Sequence, residues 1–517
     1  MMTRFEPSLH DLTQFADRPH AVIIGAGLGG LASAMRLGAK GYRVSVFDRL
    51  EGPGGRGSAL VENGHRFDLG PTIVTAPHLF EELWKACGRS FSNDVDLRSL
   101  DPFYEIRWPD GSRFSVSQDT EAMREQIARL SPQDVAGYDR FLRESAARYS
   151  YGFEVLGRQS MHKISDLLRA LPVFARLRAD RSVYAHVARC FRDPRLRMAF
   201  SFHPLFIGGD PFNVTSIYTL VSHLEKTFGV HYAIGGVEAI ATAMVRVIEK
   251  QWGQVHLGAE VDEIITRDHK TTGIRLKNGR LVNADIVVSN ADPGHTYRHL
   301  LRHHKRARWT NNRIAKSRWS MGLFVWYFGT RDTRDLWPDA GHHTILNGPR
   351  YKSLVRDIFV RGKLADDMSL YVHRPSVTDP SVAPDGGDTF YALSPVPHLG
   401  HHDPVDWSTK AETYRARVQD MLEEQLLPGL AKYLNASKVF TPETFRDRYL
   451  SPYGSGFSIE PRILQSAWFR PHNVSEEAEG LYLVGAGTHP GAGLPGVISS
   501  AEVLSKLVPD ASMAGVK

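Results

Sequence analysis

Cysteine is scarce in this chain. Only Cys87 and Cys190 occur among its 517 residues, so a disulfide framework is excluded and a reducing cytoplasm is the expected compartment. Hydrophobic residues make up 42% and charged residues 23% of the chain, a balance typical of a soluble globular protein. The length is enough for two or three domains, each with a sizeable core.

Long apolar runs are also missing. The longest, Met321 to Gly329, is far shorter than the ~20 residues that a membrane-spanning helix needs, and it is typical of a buried strand. Met1 to Pro19 is polar and mixed in charge, without the apolar core of a signal peptide. The net charge of +6 is too small to indicate a nucleic-acid partner. We therefore expect a cytoplasmic protein that neither spans a membrane nor binds nucleic acid.

No metal site is predicted, although the chain contains two histidine groups. These groups are His398, His401, His402 and Asp403, and the pair His342 and His343. A metal needs ligand atoms that converge at about 2 Å and are supported by further hydrogen bonds. Both groups stand near proline and glycine residues typical of loops, where solvated or hydrogen-bonded histidines are the more frequent case.

A strand, a glycine turn, a helix and a second strand follow one another near the start of the chain. The apolar run Ala21 to Ile24 predicts a buried parallel strand, and Gly25 to Gly30 follows at once in the spacing G-x-G-x-x-G. Leu28 to Leu37 has small and apolar residues at helical spacing, and Arg43 to Phe47 predicts a strand that ends in Asp48. This order predicts a βαβ unit that binds a dinucleotide.

Each residue type in this unit has a physical role. Gly25 allows the tight turn, Gly27 leaves room for a pyrophosphate beside the backbone, and Gly30 lets the helix and the strand pack closely. The helix N-terminus offers unpaired N–H groups and a positive dipole end to the phosphates. Asp48 can accept hydrogen bonds from the ribose hydroxyls.

Further glycine-rich segments favour FAD over NAD as the dinucleotide. Gly52 to Gly57 contains an arginine, Arg56, and it offers more N–H groups and a cation to the same pyrophosphate. Leu481 to Thr488 predicts another strand that runs into a glycine turn, and Gly491 to Val497 begins a helix whose N–H groups could face a flavin ring. Both ends of the chain are therefore expected to meet at one cofactor, which carries the redox chemistry.

These motifs resemble the flavin amine oxidase and phytoene desaturase superfamily and, within it, the bacterial-type phytoene desaturases. The resemblance runs along nearly the whole chain. It includes SFHPLFIGGDPFNVTSIYTL from Ser201, SIEPRILQSAWFRPHN from Ser458 and YLVGAGTHPGAGLPGV from Tyr482. Asp48 stands where the family often has glutamate, but the carboxylate is kept.

The resemblance implies an α/β fold, with a Rossmann-type FAD-binding domain and a second α+β substrate domain. The FAD-binding domain is expected to be discontinuous and to comprise residues 19–100, 229–300 and 446–510. The substrate and membrane-associating domain would comprise residues 101–228 and 301–445. The motifs and the resemblance together predict these cofactor-binding residues: Gly25, Ala26, Gly27, Gly29, Gly30, Asp48, Arg49, Gly55, Arg56, Gly70, Pro71, Thr72, Val261, Asn290, Gly485, Ala486, Gly487, Gly496 and Val497.

The activity implied by the resemblance is FAD-dependent desaturation of phytoene, through phytofluene and zeta-carotene, to neurosporene or lycopene. Oxygen or a quinone would then accept the electrons. Asp166 and Arg169 lie three residues apart, so they can share a helix face. They form either a polar pair that assists proton loss from the polyene or a surface ion pair.

Two other functions stay open at this stage. One is a sister carotenoid desaturase that acts on a hydroxylated or methoxylated intermediate. The other is a lipid-escort protein of the same fold without redox chemistry. The intact glycine motifs and Arg56 favour a working flavin site over the escort function.

The segment Leu167 to Phe200 predicts how a water-insoluble substrate is collected from a bilayer. It contains eight arginines against two acidic residues, interleaved with apolar side chains. Basic and apolar residues on one helical segment are the pattern of an interfacial helix on anionic lipid. The alternative is a helix that faces the core and has a solvated basic side. We expect peripheral association with the inner face of the membrane through this segment.

Overall fold

The computed structural model of the chain describes residues 17–514. The prediction for Met1 to Pro19 lies outside these residues except for its last three positions. Among the helices of the described part, none has both the length and the apolar character required to cross a membrane.

The β-structure of the described residues comprises a five-stranded sheet, a seven-stranded sheet, a three-stranded sheet (β10, β11 and β12) and two strand pairs. In chain order the strands are β1 (His20–Ile24), β2 (Arg43–Phe47), β3 (Ala59–Glu62), β4 (His65–Asp68), β5 (Leu97–Ser99), β6 (Tyr104–Arg107), β7 (Arg113–Val116), β8 (His231–Ala233), β9 (Gln254–His256), β10 (Val261–Arg267), β11 (Lys270–Leu276), β12 (Leu281–Asn283), β13 (Ile286–Ser289), β14 (Gly322–Thr330), β15 (His343–Leu346), β16 (Leu370–His373), β17 (Asp388–Val396), β18 (Leu434–Phe440) and β19 (Leu481–Leu483).

Helices cover the five-stranded and the seven-stranded sheet. In chain order they are α1 (Leu28–Ala39), α2 (Pro77–Ala86), α3 (Thr120–Leu130), α4 (Val135–Gly152), α5 (Ile164–Arg176), α6 (Val183–Val187), α7 (Pro194–Ala199), α8 (Leu220–Phe228), α9 (Val237–Lys250), α10 (Pro293–His295), α11 (Asn311–Lys316), α12 (Tyr351–Arg356), α13 (Trp407–Gln425), α14 (Pro442–Tyr449), α15 (Leu494–Leu507) and α16 (Ala511–Ala514). Short 3-10 turns connect many of these elements.

The first sheet is parallel and has the strand order β19-β13-β1-β2-β9. Its central strand β1 is buried along its whole length, which explains the uninterrupted apolar run that predicted it. Helix α1 packs against α9 and α15 on one side of this sheet. The three helices and the sheet enclose a core that includes Leu31, Val46, Met244 and Ile498.

The second sheet has seven strands in the order β18-β14-β17-β16-β15-β6-β7. All nine positions of its long strand β14 are buried, so Met321 to Gly329 is a buried strand as predicted. One face packs on helix α13 around Phe324 and Trp407. The other face, with Tyr327 and Tyr391, borders a core shared with the helical segment before β8.

These two sheets and their helices confirm the predicted α/β fold. The parallel sheet takes its strands from three separated parts of the chain: residues 20–47, 254–289 and 481–483. The boundaries of the two domains stay a prediction.

The prediction of one helical segment from Leu167 to Phe200 is wrong. The segment contains three helices, because Arg178 turns into the left-handed region at φ 55 and ends the first of them. Ser182 and Asp193 then cap α6 and α7 with side-chain hydrogen bonds. Burial separates the pieces further, since Val183 and Val187 lie in the core whereas α5 buries only Ala170.

Candidate active site

One cavity of about 890 Å³ joins the glycine turn of the parallel sheet to the inner face of the seven-stranded sheet. At one end it is lined by Gly25 and Gly27, directly after β1. At the other end it is lined by apolar and aromatic side chains of β14 to β17, such as Leu323 and Tyr391. A polar cradle and an apolar chamber therefore share one space.

Asn290, directly after β13, supports the glycine turn. A Cβ atom added at Gly27 would lie 2.8 Å from Asn290 Nδ2, and one added at Gly29 would lie 2.7 Å from Asn290 Oδ1. Gly485, after β19, approaches the same amide, since its added Cβ would lie 2.5 Å from Oδ1. The ends of three adjacent strands thus form a cradle that side chains at these glycines would obstruct.

The start of helix α1 places a positive partial charge beside the cradle. Helix α1 begins at Leu28, after the extended residue Gly27, so its first N–H groups have no partner within the helix. The arginine loop lies beside them, because Gly54 N donates to Ala26 O at 2.8 Å. Such N–H groups and the dipole of α1 favour a phosphate.

Asp48 is the carboxylate at the end of β2. Its Oδ2 accepts a hydrogen bond from Ala26 N at 2.6 Å, and its Oδ1 accepts one from Leu50 N at 2.8 Å. Burial raises the pKa of Asp48, and the two backbone donors oppose that change. The carboxylate therefore holds the glycine turn while it lines the cavity.

Arg56 brings a cation to the same end of the cavity. One of its terminal nitrogens donates to Ser451 Oγ at 3.0 Å, and its guanidinium lies 5.7 Å from the centre of the Tyr449 ring. Its Nε is buried without a hydrogen-bond partner. Burial lowers the pKa of Arg56, although Asp292 opposes that change. An arginine with an unpaired buried donor beside a glycine cradle fits a pyrophosphate.

The structure brings most of the predicted cofactor-binding residues to this cavity. Its lining includes Gly25, Gly27, Gly29, Asp48, Arg49, Gly55, Arg56, Gly70, Pro71, Thr72, Val261, Asn290, Ala486, Gly496 and Val497. Ala26, Gly30, Gly485 and Gly487 lie behind this surface. Gly30, for example, packs on the backbone of Gly25, whose carbonyl oxygen would be 2.0 Å from an added Cβ. Direct contact of each residue with FAD stays a proposal.

Asp166 and Arg169 do not reach the cavity, although Leu167 and Leu171 on the same helix do. Asp166 Oδ2 accepts a hydrogen bond from Lys163 N at 3.0 Å and thereby caps the start of α5. Arg169 is exposed. Because neither side chain lines the cavity, the structure gives no support to their role in proton loss.

The histidine pair lies in the interior and not in a loop. His342 and His343 are buried with His373, and His342 Nε2 lies 3.1 Å from His373 Nε2. His342 also bonds to Thr378 Oγ1 at 2.6 Å, and His343 to the Tyr371 hydroxyl at 2.7 Å. Strand pairing explains the burial, because β15 places His343 directly opposite His373 on β16. The pair is hydrogen-bonded, but the ring nitrogens of the three histidines also lie close enough together to hold a metal ion, so the absence of a metal site stays a prediction.

Two buried groups were missed by sequence reasoning: one lies behind the cavity wall and the other lines the cavity. Arg470 donates to Ala486 O at 2.7 Å and to Ile459 O at 3.1 Å, and so holds the C-terminal glycine loop. Glu225 on α8 lines the apolar chamber, with its carboxylate bonded to Tyr104 and His203. Both arginine and glutamate are common on surfaces, so only their burial reveals a role.

Comparison with known proteins agrees with this geometry. Residues 28–504 match the model of the family described as flavin containing amine oxidoreductase. A neurosporene-forming phytoene desaturase from Cereibacter sphaeroides is 66% identical over 499 residues, which are 96% of each chain. Another from Rhodobacter capsulatus is 62% identical, over 95% of this chain and 94% of its own. A lycopene-forming phytoene desaturase from a Paracoccus species is 44% identical, over 94% of this chain and 97% of its own.

A solved structure supports the fold. An oxidoreductase from Methanosarcina mazei superposes with a TM-score of 0.65 at 19% identity, over 94% of this chain and 100% of its own. The family match extends over most of the chain, and the cradle, the unpaired Arg56 donor and the strand-end carboxylate fit a flavin dinucleotide. The chain therefore belongs to the flavin-containing amine oxidoreductase family, as an oxidoreductase whose cofactor is FAD.

Proposed function

We propose that this chain is an FAD-dependent carotenoid desaturase that converts phytoene to neurosporene, through phytofluene and zeta-carotene. The observation that carries the proposal is the continuous cavity in which a dinucleotide cradle opens into an apolar chamber. When bound, FAD supplies the acceptor for the two electrons removed at each step.

The chamber suits a substrate without polar groups. Side chains such as Phe202, Leu205, Leu224 and Leu323 line it, so they can align a long hydrocarbon by contact and exclude water. Alignment matters because each step must present one particular allylic carbon to the cofactor. The positive charge that develops on an allylic carbon is delocalised, so the walls need shape more than a strong acid.

Neurosporene is favoured over lycopene as the product by the relatives. The two neurosporene-forming relatives are 66% and 62% identical to this chain, whereas the lycopene-forming one is 44% identical. A product with fewer double bonds means that desaturation stops one step earlier.

The direct test is incubation of the FAD-loaded protein with phytoene in liposomes, with pigments separated by chromatography and identified by mass. We expect phytofluene and zeta-carotene as transient species and neurosporene as the end product. Lycopene as the end product would overturn the step number. Desaturation of a hydroxylated or methoxylated carotenoid, with phytoene unchanged, would establish the sister activity instead. The Gly27→Val protein, which should lack flavin, is the negative control.

We further propose that helix α5 docks the protein on the membrane that holds the substrate. Ile164 and Leu168 of this helix are 56% and 60% exposed, and Leu464 on a neighbouring turn is 68% exposed. Leu464 also lines the cavity, as does Leu171 of α5. The exposed apolar patch therefore surrounds a mouth of the cavity, where a hydrocarbon could enter without crossing water.

The basic charge around this patch fits the headgroups of anionic lipid. Arg169 and Arg176 on α5 are exposed, and each basic residue near the surface can add about 1 kcal/mol to binding. Two other arginines of the predicted segment are paired with acidic residues of the protein. Arg178 pairs with Asp180 at 3.0 Å and Arg195 with Asp193 at 2.8 Å, so the docking surface is smaller than the sequence suggested.

Liposome co-sedimentation tests this docking surface. The triple variant Ile164→Ser, Leu168→Ser, Leu464→Ser should lose most of its binding to anionic liposomes while it keeps its flavin. The control is Leu281→Ser on β12, where an equally exposed leucine (60%) lies outside the patch. If the triple variant and the control sediment alike, the membrane contact lies elsewhere.

The final electron acceptor is proposed to be oxygen or a membrane quinone, at the inner face of the membrane. A quinone would reach the protein at the same patch as the substrate. Under anaerobic conditions, turnover that requires an added quinone would identify the quinone, and turnover that requires readmitted air would identify oxygen. Anaerobic turnover driven by NAD alone would contradict both.

A further inference from the structure

Glu225 is a buried carboxyl group in the apolar part of the cavity. It lies on α8 and is 3% exposed, beside Leu220 and Leu224, which also line the chamber. A carboxylate against apolar walls is costly unless it is hydrogen-bonded. Its position therefore calls for an explanation that alignment of a hydrocarbon does not supply.

The other carboxyl and imidazole groups of the cavity, which could compete for a proton, lie elsewhere or are engaged. Those near the cradle are Asp48, Glu260, Asp292 and His295. His489 Nε2 is bonded to the backbone oxygens of Leu156 and Gln159. Asp180 is exposed and paired with Arg178. Among the described residues that line the cavity, Glu225 is thus the buried carboxyl group away from the cradle.

Two buried side chains hold this carboxylate by one oxygen. The Tyr104 hydroxyl donates to Glu225 Oε2 at 3.0 Å, and His203 Nε2 lies 3.2 Å from the same oxygen. Tyr104 and His203 are 1% and 3% exposed. Burial and the nearby carboxylate raise the pKa of Tyr104 well above its usual value, so its hydroxyl stays a donor. Because both contacts end on Oε2, Oε1 keeps its lone pairs for another partner.

We propose that Glu225 is the base that receives the proton lost at each desaturation step, and this role rests on the proposed function. One step breaks two C–H bonds and forms one C=C bond. One hydrogen leaves as a hydride with the electron pair, for which oxidised FAD is the acceptor, and the other leaves as a proton. The Glu225 carboxylate takes that proton at Oε1.

The surroundings of Glu225 suit both its charged form before the transfer and its neutral form after it. Before it, the carboxylate stabilises the positive charge that develops on the allylic carbon, an effect that is strong where water is excluded. After it, the carboxylic acid is neutral, which an apolar wall favours. Release of the proton to solvent restores the carboxylate for the next step.

The test replaces Glu225 by glutamine, which keeps the shape and removes the basicity. FAD-loaded protein is mixed anaerobically with phytoene liposomes, and bleaching of the flavin is followed in a single turnover over a range of pH. We expect bleaching in Glu225→Gln to be slower by about 100-fold or more and to lose the acidic limb of the pH profile. Flavin content and retained phytoene should match the wild type, and Glu225→Asp should recover part of the rate.

Glu249→Gln is the matched control, because Glu249 is exposed on α9 away from the cavity, and its bleaching should equal that of the wild type. If Glu225→Gln bleaches at the wild-type rate with an unchanged pH profile, the proposal is wrong. The wild type is measured first. If the wild type does not convert phytoene at all, that result refutes the proposed function and, with it, this role.

Two positioning variants keep the proposal testable if Glu225→Gln does not fold. Tyr104→Phe and His203→Leu each remove a group that hydrogen-bonds Oε2. Loss of a donor to the charged form raises the pKa of a carboxyl group, so the acidic limb should move to higher pH. The limiting rate at high pH should fall by less than about tenfold, since the base itself is kept. An acidic limb that stays in place in both variants would overturn the assignment.

Discussion

At the scale of single residues, the glycines of the first turn are required for two different reasons. The Cβ of an alanine at Gly30 would lie 2.0 Å from the backbone oxygen of Gly25, which can move only if α1 separates from β1. The Cβ at Gly27 would meet the end of the Asn290 side chain, which can rotate away. Gly30 is therefore required for the packing of α1 on β1, whereas Gly27 keeps open the space for the cofactor.

We accordingly expect Gly30→Ala to lower the free energy of unfolding by about 1–3 kcal/mol. Gly27→Val should unfold like the wild type in the absence of cofactor, yet purify without flavin. Urea unfolding of the cofactor-free proteins and the flavin absorbance of the purified proteins measure the two effects. A flavin-replete Gly27→Val protein would show that the pyrophosphate lies elsewhere.

Burial of His342 predicts a pH dependence of stability. Burial lowers the pKa of His342 to about 3, whereas an unfolded histidine has a pKa of about 6.5. Between these values the unfolded chain binds a proton that the folded chain does not, so stability decreases as pH falls below about 6.5. His343 and His373 have pKa values lowered in the same direction by burial.

The loss of stability between pH 7.5 and 5.5 should therefore be smaller in His342→Gln than in the wild type, by about 1 kcal/mol. Urea unfolding at the two pH values provides the measurement. His303→Gln, which changes an exposed histidine, should retain the full wild-type loss. An equal loss in His342→Gln and the wild type would show that His342 is accessible to protons in the folded state.

At the scale of secondary-structure elements, a buried ion pair ties the end of β16 to the start of β17. Arg374 Nε lies 3.0 Å from Asp388 Oδ1, and one terminal nitrogen lies 2.8 Å from Oδ2. The guanidinium also donates to the backbone oxygens of Trp337 and Ala340. Removing the cation would leave Asp388 charged, buried and only partly hydrogen-bonded.

We expect Arg374→Met to cost about 3–5 kcal/mol in the free energy of unfolding, because it leaves the buried Asp388 carboxylate with the more distant Arg334, 3.8 Å away, as its remaining cation. The exposed pair Arg113 and Asp339 is the natural control, and Arg113→Met should cost less than about 1 kcal/mol. Urea unfolding of the two variants compares the pairs directly. A similar small cost for both would mean that water reaches Asp388.

At the scale of the whole molecule, the cavity connects parts of the chain that are far apart in sequence. Gly25 follows the first strand, Val261 begins β10, and Val497 lies in α15, yet all three line one space. A ligand in that space contacts only the folded chain, so it stabilises the fold by mass action.

Removal of FAD should therefore lower the thermal unfolding midpoint, and FAD at about 100 times its Kd should restore about 2.7 kcal/mol. The measurement is thermal unfolding of cofactor-free and reconstituted protein. Riboflavin lacks the pyrophosphate and the adenosine, so it should restore little. Equal stabilisation by riboflavin would indicate that the glycine cradle does not hold the phosphates.

Local patterns in the sequence determined the elements whose structure depends on neighbours in the chain. The spacing Gly25 to Gly30, between an apolar strand and a helix, predicted β1, the turn and α1, because strand, turn and helix N-terminus are set by adjacent residues. The apolar run from Met321 predicted β14 for the same reason. The interleaved basic and apolar residues of Leu167 to Phe200 did not predict the structure of that segment correctly, because a left-handed residue and burial of α6 in the core divide it.

Only the tertiary structure decided which polar side chains face the cavity. Glu225 lies 121 residues from Tyr104 along the chain and 22 from His203, and no sequence spacing connects the three. His342 and His343 form a buried cluster with His373 because β16 brings His373 opposite to His343. Asp166 caps its own helix and does not line the cavity. Burial and long-range contact are properties of the folded chain, so the chemistry of these residues could be assigned only in three dimensions.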